Sequence, residues 1–184
     1  MSAAALEAVL DELRARGSAE RRAGQARFGI NTGRSLGVSL PDIRAVAKAH
    51  RKDHALALAL WASGLHEARI VACMVADSAT VDAALLDSWK GQLDSWDVTD
   101  GFAKDLVRRT ALAWDKAMAW PGDEREFVRR AGFALQADLA VHARSAPDAR
   151  FEAFLPLIRR HAVDERNFVK KAVNWSLWQL GKRN

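Results

Sequence analysis

The stretch Asp123-Glu124-Arg125-Glu126-Phe127-Val128-Arg129-Arg130-Ala131 returns 41 residues later as Asp164-Glu165-Arg166-Asn167-Phe168-Val169-Lys170-Lys171-Ala172. A period of that length suits a two-helix unit of the HEAT or armadillo kind, in which each pair buries its apolar face against the next. Each copy reads mechanically: an acidic opening to the helix, two apolar residues for the core, then two basic residues turned away from it. His66-Glu67-Ala68-Arg69-Ile70-Val71-Ala72 is a weaker copy without the basic pair. Equivalent positions in stacked repeats line one concave surface, so Arg129, Arg130, Lys170 and Lys171 are candidates for a basic groove. The competing reading is that they only solubilise an exposed helix face.

Outward from the repeat, the rest of the chain agrees with a helical protein. Its 184 residues suit a single domain spanning 1–184 with a sizeable core. Leu6, Val9, Leu10 and Leu13 keep helical spacing, as do Ile43, Val46 and Ala47, and Pro41-Asp42 reads as a helix start. No strand alternation is visible. The glycine-punctuated run Gly29-Ile30-Asn31-Thr32-Gly33-Arg34-Ser35-Leu36-Gly37 invites comparison with a phosphate-binding loop, but the glycine spacing and the lysine of a Walker loop are wrong. A turn between helices is the expectation there.

The net charge is +5 and the pI about 9.8, which suits an anionic partner. Residues 1–100 hold 12 basic against 13 acidic side chains, and residues 101–184 hold 16 against 10, so the excess lies C-terminal. Cys73 is the only cysteine, which excludes an intramolecular disulfide and a thiolate-rich metal site. Its neighbours Val71, Ala72, Met74 and Val75 make it a buried, inert thiol. His50 and His54 form an i, i+4 pair, but Arg51-Lys52-Asp53 between them is not a zincin arrangement, and no metal or cofactor is expected. No hydrophobic run has membrane-spanning length, and the N-terminus, broken by Asp11, Glu12, Arg14 and Arg16, is no signal peptide; a soluble, cytoplasmic setting follows.

Nucleophile elbows, kinase motifs and dinucleotide fingerprints are missing, which leaves Ser95-Trp96-Asp97-Val98-Thr99-Asp100 as the stretch that carries chemistry. Trp96 and Asp100 stand four residues apart and share a helix face. An indole beside a carboxylate suits a ligand that carries or develops positive charge, through the ring quadrupole and direct Coulomb attraction.

With Trp96, Asp97 and Asp100 on one helix, Phe127-Val128-Arg129-Arg130-Ala131 on a second and Asn167-Phe168-Val169-Lys170-Lys171-Ala172-Val173-Asn174-Trp175 on a third, the chain resembles the DNA alkylation repair family. More narrowly it is similar to the AlkD-type alkylpurine DNA glycosylases, from about Ala26 onward, with Leu36-Gly37-Val38-Ser39-Leu40-Pro41-Asp42-Ile43-Arg44 at the family's early helix start. The resemblance implies an all-α fold: a right-handed α-solenoid of HEAT-like or armadillo-like helical repeats whose concave basic groove holds duplex DNA. It implies hydrolysis of the N-glycosidic bond of positively charged N3- and N7-alkylated purines, by a monomer needing no cofactor. Carried over, Asp100 is the catalytic acid, Trp96 and Trp175 are the groove tryptophans, and Arg130 is the groove arginine that holds a phosphate. Asp97, Phe28, Lys171, Lys170 and Arg129 complete the implied DNA-binding set.

Some positions depart from the family pattern. Phe28 stands where a tyrosine is common, and the chain holds no tyrosine at all. Trp178 replaces a frequent basic residue on the last matched helix, and the sequence stops at Asn184 where relatives continue into a further repeat. Two other readings stay open: a non-catalytic DNA-binding solenoid that recognises branched or damaged structures by shape, and a scaffold for protein partners.

Overall fold

The computed structural model describes residues 3–183, and every regular element among them is helical. The chain divides between Leu85 and Leu86 into two compact units. Ahead of that division lie α1 (Ala3–Ala15), α2 (Ala19–Ala26), α3 (Leu40–Lys48), α4 (His54–Ala62) and α5 (His66–Val75), while α6 (Ala83–Lys90) spans it. Val9, Leu10 and Leu13 bury the apolar stripe of α1 against α3, α4 and α5. Ile43, Val46 and Ala47 do the same for α3. The predicted start at Pro41-Asp42 holds: the Ser39 hydroxyl accepts the Asp42 N–H and Pro41 fills the first turn, where its missing N–H costs nothing.

The glycine-punctuated run connects α2 to α3, and its end explains why it looked like an anion loop. Glu67 of α5 is fully buried. One of its carboxylate oxygens accepts the Ser35 hydroxyl at 2.8 Å and the Gly37 and Val38 N–H groups at 2.9 and 3.2 Å. The Leu36 N–H donates to both oxygens at 3.0 Å. Gly37, at φ 75°, takes the left-handed conformation that turns successive N–H groups inward. The loop is thus an anion nest whose anion is the chain's own carboxylate.

Beyond the division come α7 (Trp96–Gly101), a π-helical turn (Phe102–Leu106), a 3₁₀ turn (Val107–Arg109), α8 (Ala113–Ala119) and a second 3₁₀ turn (Trp120–Gly122). They are followed by α9 (Glu126–His142), α10 (Asp148–Glu152), α11 (Leu155–His161) and α12 (Asn167–Gly181). α8 pairs with α9 and α11 with α12, and the repeated stretch opens the second helix of each pair. The weaker copy opens α5, which packs on α4. Central α9 packs against α7, the π turn, α8, both 3₁₀ turns and α12. From Val128 to Ala140 all its residues except Arg129 are buried. Gly132 permits this closeness, since a Cβ there would stand 2.5 Å from Pro121 Cδ. Phe102 stacks on Trp120 at 5.6 Å, and Trp114 packs against both Phe151 and Phe154. No helix among the described residues is long and apolar enough to cross a membrane.

The repeat corrects one expectation. Lys170 and Lys171 do face solvent, but Arg129 and Arg130 do not turn away from the packed interior. Consecutive helical residues point about 100° apart, so the two side chains leave α9 in different directions and each finds a different carboxylate. Arg129 reaches the seam with the next copy, donating to the Asp123 carbonyl at 3.0 Å and to the Asp164 carboxylate at 2.7 Å. Arg166 grips the same carboxylate from two residues along the chain, as Arg125 grips Asp123. The repeated Asp-x-Arg is therefore a local clamp, and Arg129 bolts one clamp to the next. Hydrogen bonding from Arg166, reinforced by Arg129, holds the Asp164 carboxyl well below the usual carboxylate range.

Candidate DNA-binding and catalytic site

The chemistry-bearing residues gather in the second unit, where α7, α9 and α12 lie side by side. α7 opens at Ser95-Trp96-Asp97. Asp97 accepts the Ser95 hydroxyl at 2.8 Å and the Val98 N–H at 2.9 Å, so its carboxylate braces the first turn of α7. One turn later comes Asp100, and α9 delivers Arg130 to it.

Arg130 meets Asp100 edge to edge, with Nε to Oδ1 at 2.9 Å and Nη2 to Oδ2 at 2.7 Å. Its third nitrogen, Nη1, donates to the Phe168 carbonyl of α12 at 2.8 Å. The guanidinium carbon also stands 5.7 Å from the centroid of Trp96, within cation–π range. One side chain thus ties three helices together, and it is itself 7% exposed while the Asp100 side chain keeps 23% of its surface. Asp100 faces neither the apolar interior nor open water. Burial pushes its carboxyl up, against the opposing pull of Arg130. Each carboxylate oxygen keeps further acceptor capacity beyond the fork, and nearly a quarter of the side chain's surface stays exposed.

The sequence assigned Arg130 to a phosphate, whereas the geometry gives it a carboxylate and a carbonyl. Trp96 and Asp100 do share a face, joined there by Arg130. On α12, Lys171 stands over the Phe168 ring at 6.0 Å, and Trp175, half-buried, follows at helical spacing on the same face. Phe168 packs against Phe127 of the preceding copy at 5.7 Å. Lys170 is exposed on α12. Arg129 is committed to the seam described above, and Phe28, 70% exposed, belongs to the first unit.

Sequence reasoning passed over a second group on these elements. Lys104 lies in the π turn four residues beyond Asp100 and acts electrostatically on it. Arg108 follows in the 3₁₀ turn, and Asp138 of α9 faces it with Oδ2 3.9 Å from the Arg108 Nε. Asp138 is buried, and desolvation, only partly offset by Arg108 and Lys104, pushes its carboxyl up to about 6. Its signal was present as the only acid within the apolar run Ala131–Ala140, and Lys104 and Arg108 continue the four-residue spacing from Asp100. Among the described residues no group of three or more His, Cys, Asp or Glu side chains could hold a metal ion.

A family described as DNA alkylation repair enzyme matches residues 9–184. No curated protein matches the chain. Among solved structures, one from a new family of proteins related to the HEAT-like repeat DNA glycosylases, described as having affinity for branched DNA structures, superposes with a TM-score of 0.84. The two are 20% identical, and the match covers 95% of this chain and 75% of that one. The all-α HEAT-like architecture expected from the repeat is therefore the fold of this chain.

Proposed function

The chain belongs to the DNA alkylation repair enzyme family, and on that premise we propose that it is a monofunctional glycosylase releasing positively charged N3- and N7-alkylated purines from duplex DNA, with Asp100 as its catalytic residue. An alkylated purine carries a formal positive charge, which weakens its glycosidic bond and lets it leave without a proton donor. Positive charge then develops on the sugar. A carboxylate fixed beside C1′ stabilises that oxocarbenium character and orients the attacking water, as in glycoside hydrolysis reduced to one acid. No metal or cofactor has a part in such a reaction.

The observation that carries this reading is the two-point grip of Arg130 on Asp100. It holds the carboxylate in one orientation while part of the side chain stays exposed, so little reorganisation is needed when charge develops. Trp96 and Trp175 supply aromatic faces for the deoxyribose and backbone around the lesion, and Lys170 and Lys171 supply charge for phosphates. Arg130 in this scheme orients the acid.

The test is to incubate the protein, as a monomer in solution, with duplex DNA treated with a methylating agent and to measure free methylated purines by mass spectrometry. The wild-type chain releases them, and Asp100→Asn loses about 10²- to 10³-fold in rate with duplex binding retained, the size expected for one electrostatic stabiliser. Asp100→Asn as active as the parent refutes the assignment. A second reading, a non-catalytic protein that binds branched or damaged DNA, draws support from the affinity ascribed to the solved relative and from the way Arg130 offsets the charge of Asp100. It predicts salt-sensitive binding with no base release from either protein.

A further inference from the structure

Two of the four cations expected to line a groove, Arg129 and Arg130, are spent on internal carboxylates. A different pair follows Asp100 in the chain, four and eight residues on. The π turn at Phe102–Leu106 and the 3₁₀ turn after it place Lys104 and Arg108 against α9, where both act on Asp138 and His142. π turns cost helical regularity and recur where side chains must be re-aimed.

Arg108 is the telling residue. Its Nε and the Asp138 Oδ2 are 3.9 Å apart, beyond hydrogen-bond reach, and both atoms are buried without a hydrogen-bond partner. Asp138 is 5% exposed, yet the Arg108 side chain keeps 25% of its surface. The carboxylate thus backs the guanidinium from inside, while a quarter of the Arg108 side-chain surface stays exposed. Such a fork, with the charge of Lys104 acting on the same Asp138, matches the oxygens of a phosphodiester in charge and shape.

We propose that Lys104 and Arg108 form a binding site for a backbone phosphate of duplex DNA, with Asp138 as the positioning residue that aims Arg108. This rests on the DNA reading above and is independent of base excision. The charged groups facing Asp138 are Arg108, Lys104 and Asp105 across from it and Asp100 on α7, with His142 one turn along its own helix. A phosphate that shares the charge of Arg108 makes Asp138 easier to protonate, so DNA binding takes up a proton and weakens as pH rises through about 6.

The experiment is fluorescence anisotropy of the intact chain with unmodified duplex DNA across a salt series, on wild type, Lys104→Gln, Arg108→Gln and Arg108→Lys. Each Gln variant lowers the slope of log Kd against log salt by about 1, and Arg108→Lys restores it. Circular dichroism and the urea midpoint of each variant check that the fold is retained. Asp138→Asn removes the part of the pH dependence that wild type shows between about pH 5 and pH 8, leaving the share due to His142. Unchanged slopes in both Gln variants, with wild type binding normally, overturn the site and leave the DNA reading intact. Wild type that fails to bind duplex DNA overturns both. A pH profile identical in Asp138→Asn overturns the positioning role.

Discussion

Replacing Asp138 by Asn offers a direct measure of what burying that carboxylate costs. In the folded chain burial raises its carboxyl from 3.8 to about 6, and the residue is 5% exposed, so solvent screening is slight. A shift of about two units corresponds to about 3 kcal/mol, because each unit is 1.36 kcal/mol of preference for the protonated form. The sign follows from the raised value. Below about pH 4 the carboxyl is protonated in folded and unfolded chains alike and costs nothing; the penalty grows as pH rises from about 4 to 6 and is complete above that. Asn stays neutral throughout, so the variant is as stable as wild type near pH 4 and more stable by about 3 kcal/mol at pH 8. Urea denaturation followed by tryptophan fluorescence reads the right part of the molecule, since six of the seven tryptophans lie in the second unit. Taking variant minus wild type at each pH cancels the other titrating groups. A variant less stable at pH 8, or a difference that does not change with pH, would show that Arg108 fully compensates the buried charge and refute the reasoning.

Other perturbations test the frame around the site. Asp164→Asn leaves Arg129 without its partner at the seam of the repeats and is expected to cost about 3 kcal/mol in urea melts. Because Asp164 is held below its ordinary value, that contribution is present above about pH 4 and disappears as pH falls further, where variant and wild type should converge. Glu67→Gln removes the charge from the nest around Leu36, Gly37 and Val38. A loss of about 3 kcal/mol and faster amide exchange at those three residues are expected, and protected amides would contradict it. Gly132→Ala forces a methyl against Pro121 and should lower stability by about 2 kcal/mol, read in the same melts.

The chain by itself determined a good deal. The 41-residue offset between Asp123 and Asp164 marks two helix pairs, and α9 and α12 each begin three residues into the repeated stretch, at Glu126 and Asn167. Local periodicity, Ser39 with Pro41-Asp42, and the four-residue step from Trp96 to Asp100 are written in short-range order, which sequence records directly. Tertiary packing alone decided what the ionisable groups do. Arg129 and Arg130 are neighbours of one kind in the chain, yet one is a bolt between repeats and the other the holder of Asp100, since a 100° turn per residue sends them to different partners. Likewise Glu67 meets a loop some thirty residues away, and Asp138 of α9 meets Arg108 of the 3₁₀ turn, as far off in the chain. The charge of an ionisable side chain and the hydrogen bonds it accepts depend on long-range neighbours and on burial, neither of which has a spacing in the sequence.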